Sequence, residues 1–276
     1  MRNLRMIVGR RLMWRLARNS IGVFLVTATL LCSEETRVAS DPAAVPANQL
    51  SVSGNACGPT ALLNAFRFGN KDWRRALDGV SGNNDRERIL RIIREIGMRP
   101  SKHLPGRARW SRGGVSVADL KDMANEMTLG KYLPQLSDEV FFPKAGESPE
   151  KLLRRVHSRL ESSLRKGFPP ILSIRRYALR GKTPQWTLLD AHLVTVTAVP
   201  RRLERQSRSF ELSYIDPWGG RQSEGSIAIP GAPLLATADG KGGCLEAAFP
   251  SSMVGKAKVK PGETSAIIVS AAIGRW

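Results

Sequence analysis

The chain has 276 residues, 42% of them hydrophobic, which supplies a packed core and excludes a disordered or collagen-like polymer. Its formal net charge of +19 favours salt-sensitive association with anionic surfaces such as a cell envelope. Specific nucleic-acid recognition is not implied, because basic clusters such as Arg201, Arg202, Arg205 and Arg208 lack interleaved aromatic residues for base stacking.

Six arginines (Arg2, Arg5, Arg10, Arg11, Arg15 and Arg18) precede the apolar run IGVFLVTATLLC at residues 21–32. That run has the length of a signal-peptide core and is short for a membrane span. Residues 1–40 therefore read as an export signal cleaved before Asp41, with Ala47 as another cleavage site. An uncleaved anchor at residues 21–32 is the alternative. The pair Arg10 and Arg11 suits twin-arginine export. Seven arginines and two acids lie in residues 1–40, so residues 41–276 keep +14 of the charge. The expected location is periplasmic or extracellular, with membrane contact only through a retained N-terminal segment. Without residues 1–40, only Cys57 and Cys244 remain, and an oxidising compartment would let them form a disulfide. No Cys/His cluster has metal-ligand spacing, so no metal or cofactor is expected.

Residues 41–53 show no period and read as an extended segment. Pro59 suits a first helical turn, and Ala61, Leu62, Ala65 and Phe66 form an apolar face that ends at Gly69, which places Cys57 at a helix start. Asn84 with Glu87 opens a second helix carrying Ile89, Leu90, Ile92, Ile93 and Ile96. Ser116 with Asp119 opens a third, and Ser148 with Pro149 a fourth that carries Leu152, Leu153, Val156, Leu160 and Leu164. Beyond these, PPILSIRRY, HLVTVTAV, SFELSYI, GSIAI and SAIIVSAAI read as strands, the second and third joined by the basic loop PRRLERQSR. Residues 230–262 read as a long surface excursion. The fold class is α+β, one domain over residues 41–276 with a helical part at 54–166 and an antiparallel sheet part at 168–276.

Three polar residues stand at element ends. Cys57 begins a helix, His192 opens a strand, and Asp216 ends the next strand in YIDPWGG. A hairpin brings the last two to the same sheet edge. A helix N-terminus and an adjacent imidazolium both stabilise a thiolate, so Cys57 is the expected nucleophile. His192 would pair with it and act as general acid, and Asp216 would orient the imidazole. Asp190 shares the strand face of His192 and is the rival acid. His103, in a Pro/Gly loop, and His157, at a charged helix border, read as surface residues. Gly58 and Trp218 are the substrate-cleft candidates, with Gly58 leaving room for substrate backbone.

The ordered motifs NACGPTALLNAFRFG, AHLVTVTAV and YIDPWGG resemble the papain-like cysteine peptidases, specifically the bacteriocin-processing, double-glycine leader peptidase-like branch. The resemblance covers roughly residues 48–220. It implies a two-lobe fold, an N-terminal helical lobe and a C-terminal antiparallel β-sheet lobe with the cleft between them, and catalysis by Cys57, His192 and Asp216 on a peptide or protein substrate. In that family a glutamine about six residues before the nucleophile supplies an oxyanion amide, and Ser51 stands there. Gln49 is the candidate in its place, ahead of Asn48 and Asn55. The alternatives are a non-catalytic, basic envelope-binding module on the same scaffold and a thiol amidase or transglutaminase-like acyl transferase.

Overall fold

A computed structural model describes residues 35–182, 185–235 and 243–276. Residues 1–34 of the expected leader, with the apolar run 21–32 and Cys32, lie outside the described residues. Among the described residues no helix is long and apolar enough to cross a membrane.

Four of the five described α-helices begin at a side-chain cap. Helix α1 is Cys57–Arg67, α2 Lys71–Arg74, α3 Asp85–Ile92, α4 Val117–Met127 and α5 Pro149–Arg165. Asn84 Oδ1 accepts from the Glu87 N–H at 2.9 Å, and the Asn84 amide donates back to the Glu87 carboxylate at 3.1 Å. Ser116 and Ser148 cap α4 and α5 in the same way, contacts worth about 1 kcal/mol each. A π turn, Ile93–Gly97, continues α3. Leu152, Leu153, Val156, Leu160 and Leu164 are all buried, and each contributes roughly 1.5–3 kcal/mol by leaving water.

The strands are β1 Thr36–Val38, β2 Trp110–Ser111, β3 Gly114–Val115, β4 Ser137–Val140, β5 Ile171–Arg180, β6 Gln185–Pro200, β7 Ser209–Asp216, β8 Arg221–Ala228, β9 Glu246–Ala248 and β10 Ser265–Gly274. Strands β2 and β3 form a separate small hairpin. The other eight make one antiparallel sheet in the order β1-β6-β5-β10-β9-β8-β7, with β4 also on β10. A further β6–β7 pairing closes six of them into a ring. The 16-residue β6 is long enough to serve three partners: β5 over most of its length, β7 at Thr195–Ala198 and β1 at Ala198–Pro200. One buried cluster joins α5 to the ring through residues such as Val194, Val196, Phe210 and Tyr214. A second joins α1, α3 and α4 to Ile171, Leu193 and Ile273. The α+β class holds.

Several boundaries differ from the sequence reading. The leader expected over 1–40 overlaps β1, which pairs with the end of β6, and Ala39 behind it is buried with its N–H on the Thr197 carbonyl at 2.7 Å. Cleavage before Asp41 would strip a sheet strand. Ala47 is wholly buried, and its N–H donates to Asn64 Oδ1 at 2.7 Å, so cleavage there would open α1's packing. The sheet is not confined to 168–276, because β1 and β4 join it from the first half. Within the expected excursion 230–262, β9 completes the ring, and Ser252 and Val254 are buried.

His157 is not a surface residue. It is buried on α5, its ring meets Phe210 edge-on at 5.1 Å, and Nε2 bonds the Pro200 carbonyl at 2.8 Å. Burial pushes its pKa below 6.5, against the hydrogen bond to Pro200. A histidine held neutral in the fold protonates more readily when unfolded, so its contribution is full above pH 6.5 and is lost as the pH falls through the folded value. Denaturation at pH 7 and pH 5 is expected to show an acid-side loss of stability that His157→Gln reduces.

Candidate active site

Helix α1 is enclosed on every side, Cys57 through Phe66 being all buried, Thr60 and Asn64 among them. Its orientation is fixed at two points. Thr195 Oγ1, on β6, donates to the Ala61 carbonyl at 2.9 Å, and Asn64 bonds both the N–H and the carbonyl of Ala47. Among the described α-helices, α1 is the only one without a side-chain cap, Ala56 standing at the cap position, and its first turn holds no acid. The positive end of its dipole therefore falls on Cys57 without a competing carboxylate.

His192 lies within β6, not at its start, opposite Ile174 of β5. Because β7 pairs Ile215 with Thr195, Asp216 arrives diagonally across from His192. Asp216 Oδ1 lies 2.7 Å from His192 Nε2 and also accepts the Trp218 N–H at 2.8 Å. Both side chains are buried, His192 at 8% and Asp216 at 2% exposure, so the pair is shielded from water. With Nε2 engaged by Asp216, Nδ1 is the ring nitrogen left over, and Cys57 acts on the same imidazole electrostatically. Burial alone would lower the His192 pKa. The hydrogen bonds to Asp216 and Cys57, with the charges of both, outweigh it and hold the ring up at about 10. The structure thus places Asp216 against His192, and Cys57 raises the pKa of the same imidazole.

The rival acid is elsewhere. Asp190 Oδ2 pairs with Lys258 at 3.3 Å, and Oδ1 accepts the neighbouring Ala191 N–H. His103 faces Asp122 at 3.0 Å on the surface. The two described cysteines are free and buried in different clusters, which sets aside a Cys57–Cys244 disulfide in this structure. Burial pushes the Cys244 thiol up to about 11, a setting for an inert core thiol. Among the described residues no three His, Cys, Asp or Glu side chains gather as metal ligands.

Gln49 is buried in the 3-10 turn Gln49–Ser51, and its N–H donates to the Pro217 carbonyl at 2.9 Å, directly beside Asp216. Its Oε1 is buried with no hydrogen-bond partner. Ser51 is exposed and turned back onto the Asn48 carbonyl at 2.9 Å. Asn48 Oδ1 is already occupied by the N–H groups of Leu50 and Gly219, at 2.9 and 3.1 Å. Gly220, at φ +61°, lies against the Ala47 and Pro46 carbonyls, where any side chain would crowd backbone. The segment before the nucleophile and the turn after the acid are therefore stitched together. Sequence reasoning missed this role of Asn48; two glycines after Asp-Pro-Trp were its only trace.

Gly58 is buried, and the room it leaves is taken by the protein itself. A Cβ there would stand 2.2 Å from Val115 Cγ1 and 3.2 Å from Leu193 Cδ1. This corrects its expected role as space for substrate backbone: Gly58 lets the β2–β3 hairpin close over the helix start, where Trp110 Nε1 also donates to the Asn55 carbonyl at 3.0 Å. Gly58→Ala is expected to cost about 1–3 kcal/mol in chemical denaturation through overpacking, and Val115→Ala in the same chain should recover most of it. Trp218, two residues after the acid, is 46% exposed.

Comparison of the chain with protein-family models, curated proteins and solved structures finds no match in any of the three.

Proposed function

We propose that the chain is a thiol hydrolase, a cysteine peptidase of papain-like type with its helical and sheet parts as two lobes, that cleaves peptide bonds through Cys57, His192 and Asp216. The observation that carries this reading is the buried imidazole hydrogen-bonded to Asp216, with its pKa held up by Asp216 and by a cysteine at an uncapped helix start. A histidine held protonated beside a thiol supplies the ion pair that such an enzyme uses.

In this reading the Cys57 sulfur attacks the carbonyl carbon of the scissile bond, and His192 donates its proton to the departing amine. The oxyanion is met by the Cys57 backbone N–H and by the Gln49 side-chain amide, donors worth about a hundredfold or more in rate each. Water then attacks the thioester, giving its proton to His192, and the carboxylate product and free thiol are released. Asp216 keeps the imidazole oriented throughout. The basic body would hold the enzyme near anionic envelope surfaces after export.

The test is to incubate the protein with a peptide library and identify new amino termini by mass spectrometry. Cleavage by the wild type that vanishes in Cys57→Ala supports the reading. Cleavage that persists in Cys57→Ala, or none in either protein, removes it.

A further inference from the structure

Among the described residues Arg176 of β5 has no counter-ion. It stands opposite Asp190 across the β5–β6 ladder, two residues along β6 from His192, roughly 7 Å of strand. Its Nε donates to the Val254 carbonyl at 2.6 Å and its Nη1 to Ser265 Oγ at 3.2 Å, both neutral acceptors. Among the described residues no carboxylate lies within ion-pair distance of it. Asp190 is taken by Lys258, and Glu263 is taken by Arg180. Burial lowers the Arg176 pKa, and no neighbouring acid opposes the shift. Keeping a half-buried guanidinium without an anion is costly unless a ligand supplies the missing charge.

Arg176 lines a pocket of about 510 Å³ together with residues of β9, β10 and the segment between them, a volume suited to a small ligand. Phe249, Pro250, Val259 and Ile267 give it apolar walls, and Lys256 adds a second cation. Two of the five guanidinium N–H donors are used by Val254 and Ser265, which fixes the plane and leaves the rest for an incoming oxyanion. Glu246 also lines the cavity, so a singly charged oxyanion on an apolar body suits it better than a phosphate dianion.

We propose that this cavity binds a peptide carboxylate, either an acidic side chain or a C-terminus, with Arg176 as its recognition residue. The inference deepens the peptidase reading and rests on it for the peptide nature of the ligand. It assigns the enzyme a preference for substrates that carry a negative charge near the scissile bond.

The experiment measures equilibrium binding of three peptides to the full chain at low salt: acetyl-Leu-Leu-Glu-Leu-amide, acetyl-Leu-Leu-Gln-Leu-amide and acetyl-Leu-Leu-Gln-Leu with a free carboxylate. The Glu peptide binding at least tenfold tighter than its Gln counterpart identifies the side chain as the source, and the free acid binding tightest identifies the C-terminus. Either preference should disappear in Arg176→Gln. Equal binding of all three, including no binding, overturns the proposal, as does a preference that survives Arg176→Gln. Should that variant fail to fold, the Arg176 Nε–H signal of the labelled wild-type protein replaces it. The signal should move with a carboxylate peptide and stay with the amide, and a signal indifferent to both overturns the proposal. Alkylation of Cys57 by iodoacetamide on the same samples reports on the thiol site separately, so failure of carboxylate recognition is distinguishable from failure of the peptidase reading.

Discussion

His192→Ala is expected to lower peptide cleavage by roughly 10⁴-fold or more, about as far as Cys57→Ala, and the double variant should be little worse than either single one. Residues that act as one unit lose their effect together. Without the imidazole there is no proton for the departing amine and no cation to hold the thiolate. The substitution also strands Asp216, whose Oδ1 would keep only the Trp218 N–H while Oδ2 already lacks a partner. Removing one member of a buried charged pair costs about 3–5 kcal/mol, so His192→Ala should melt earlier as well as react slowly. Cys57→Ala keeps the His192–Asp216 pair and should lose activity with a smaller change in stability. Kinetics and chemical denaturation on the same three proteins separate the two effects. Single and double variants whose losses multiply would contradict a shared mechanism.

Asp216→Asn carries the second large effect, and its signature is a pH shift. Asn Oδ1 still accepts from Trp218 N–H and from His192, so the turn survives while the charge that helps hold the imidazole up at about 10 is gone. The alkaline limb of the cleavage profile, set by loss of the His192 proton, should therefore move to lower pH. Stability follows the same group. A histidine whose folded pKa is raised from 6.5 to about 10 contributes fully below pH 6.5, and that contribution is lost as the pH climbs from 6.5 through about 10. In Asp216→Asn this alkaline loss should be smaller and should be complete at lower pH, its onset near 6.5 being set by the unfolded histidine. An unchanged alkaline limb would show that Asp216 does not tune the imidazole.

Cys57 and Asp216 were legible because they stand at element ends, where local signals are strongest, whereas His192 lies inside β6. Pro59 and the apolar run behind it marked the start of α1, and the hairpin logic put Asp216 beside His192. The helix caps at Asn84, Ser116 and Ser148 were equally readable, each a short polar side chain placed before an apolar period. What the sequence concealed depends on partners far along the chain. Strand β4, SDEV, has no apolar alternation to mark it and was not among the expected strands. In the fold Glu139 is held by Arg155 and Arg159, and its pKa drops below the usual carboxylate value because those two hydrogen bonds and charges outweigh the cost of burial. Strand β1 is three residues long, too short to show any alternation, and exists only because the far end of β6 offers it an edge. Gly58 was read as room for substrate because nothing nearby in sequence announces Val115. His157 looked like a surface residue from its charged neighbours, whereas its position on α5 turns it towards Phe210 and Pro200.

Whether Cys57 is a nucleophile made reactive by His192 is read by covalent labelling. Native protein treated with a peptidyl electrophile and mapped by intact-mass and peptide mass spectrometry should carry one adduct, on Cys57, with Cys244 unlabelled in its buried cluster. The adduct should form far more slowly in His192→Ala and should not form in Cys57→Ala. Labelling of Cys57 at the same rate with and without His192, or Cys57 recovered in a disulfide with Cys244 from the native protein, would contradict the account.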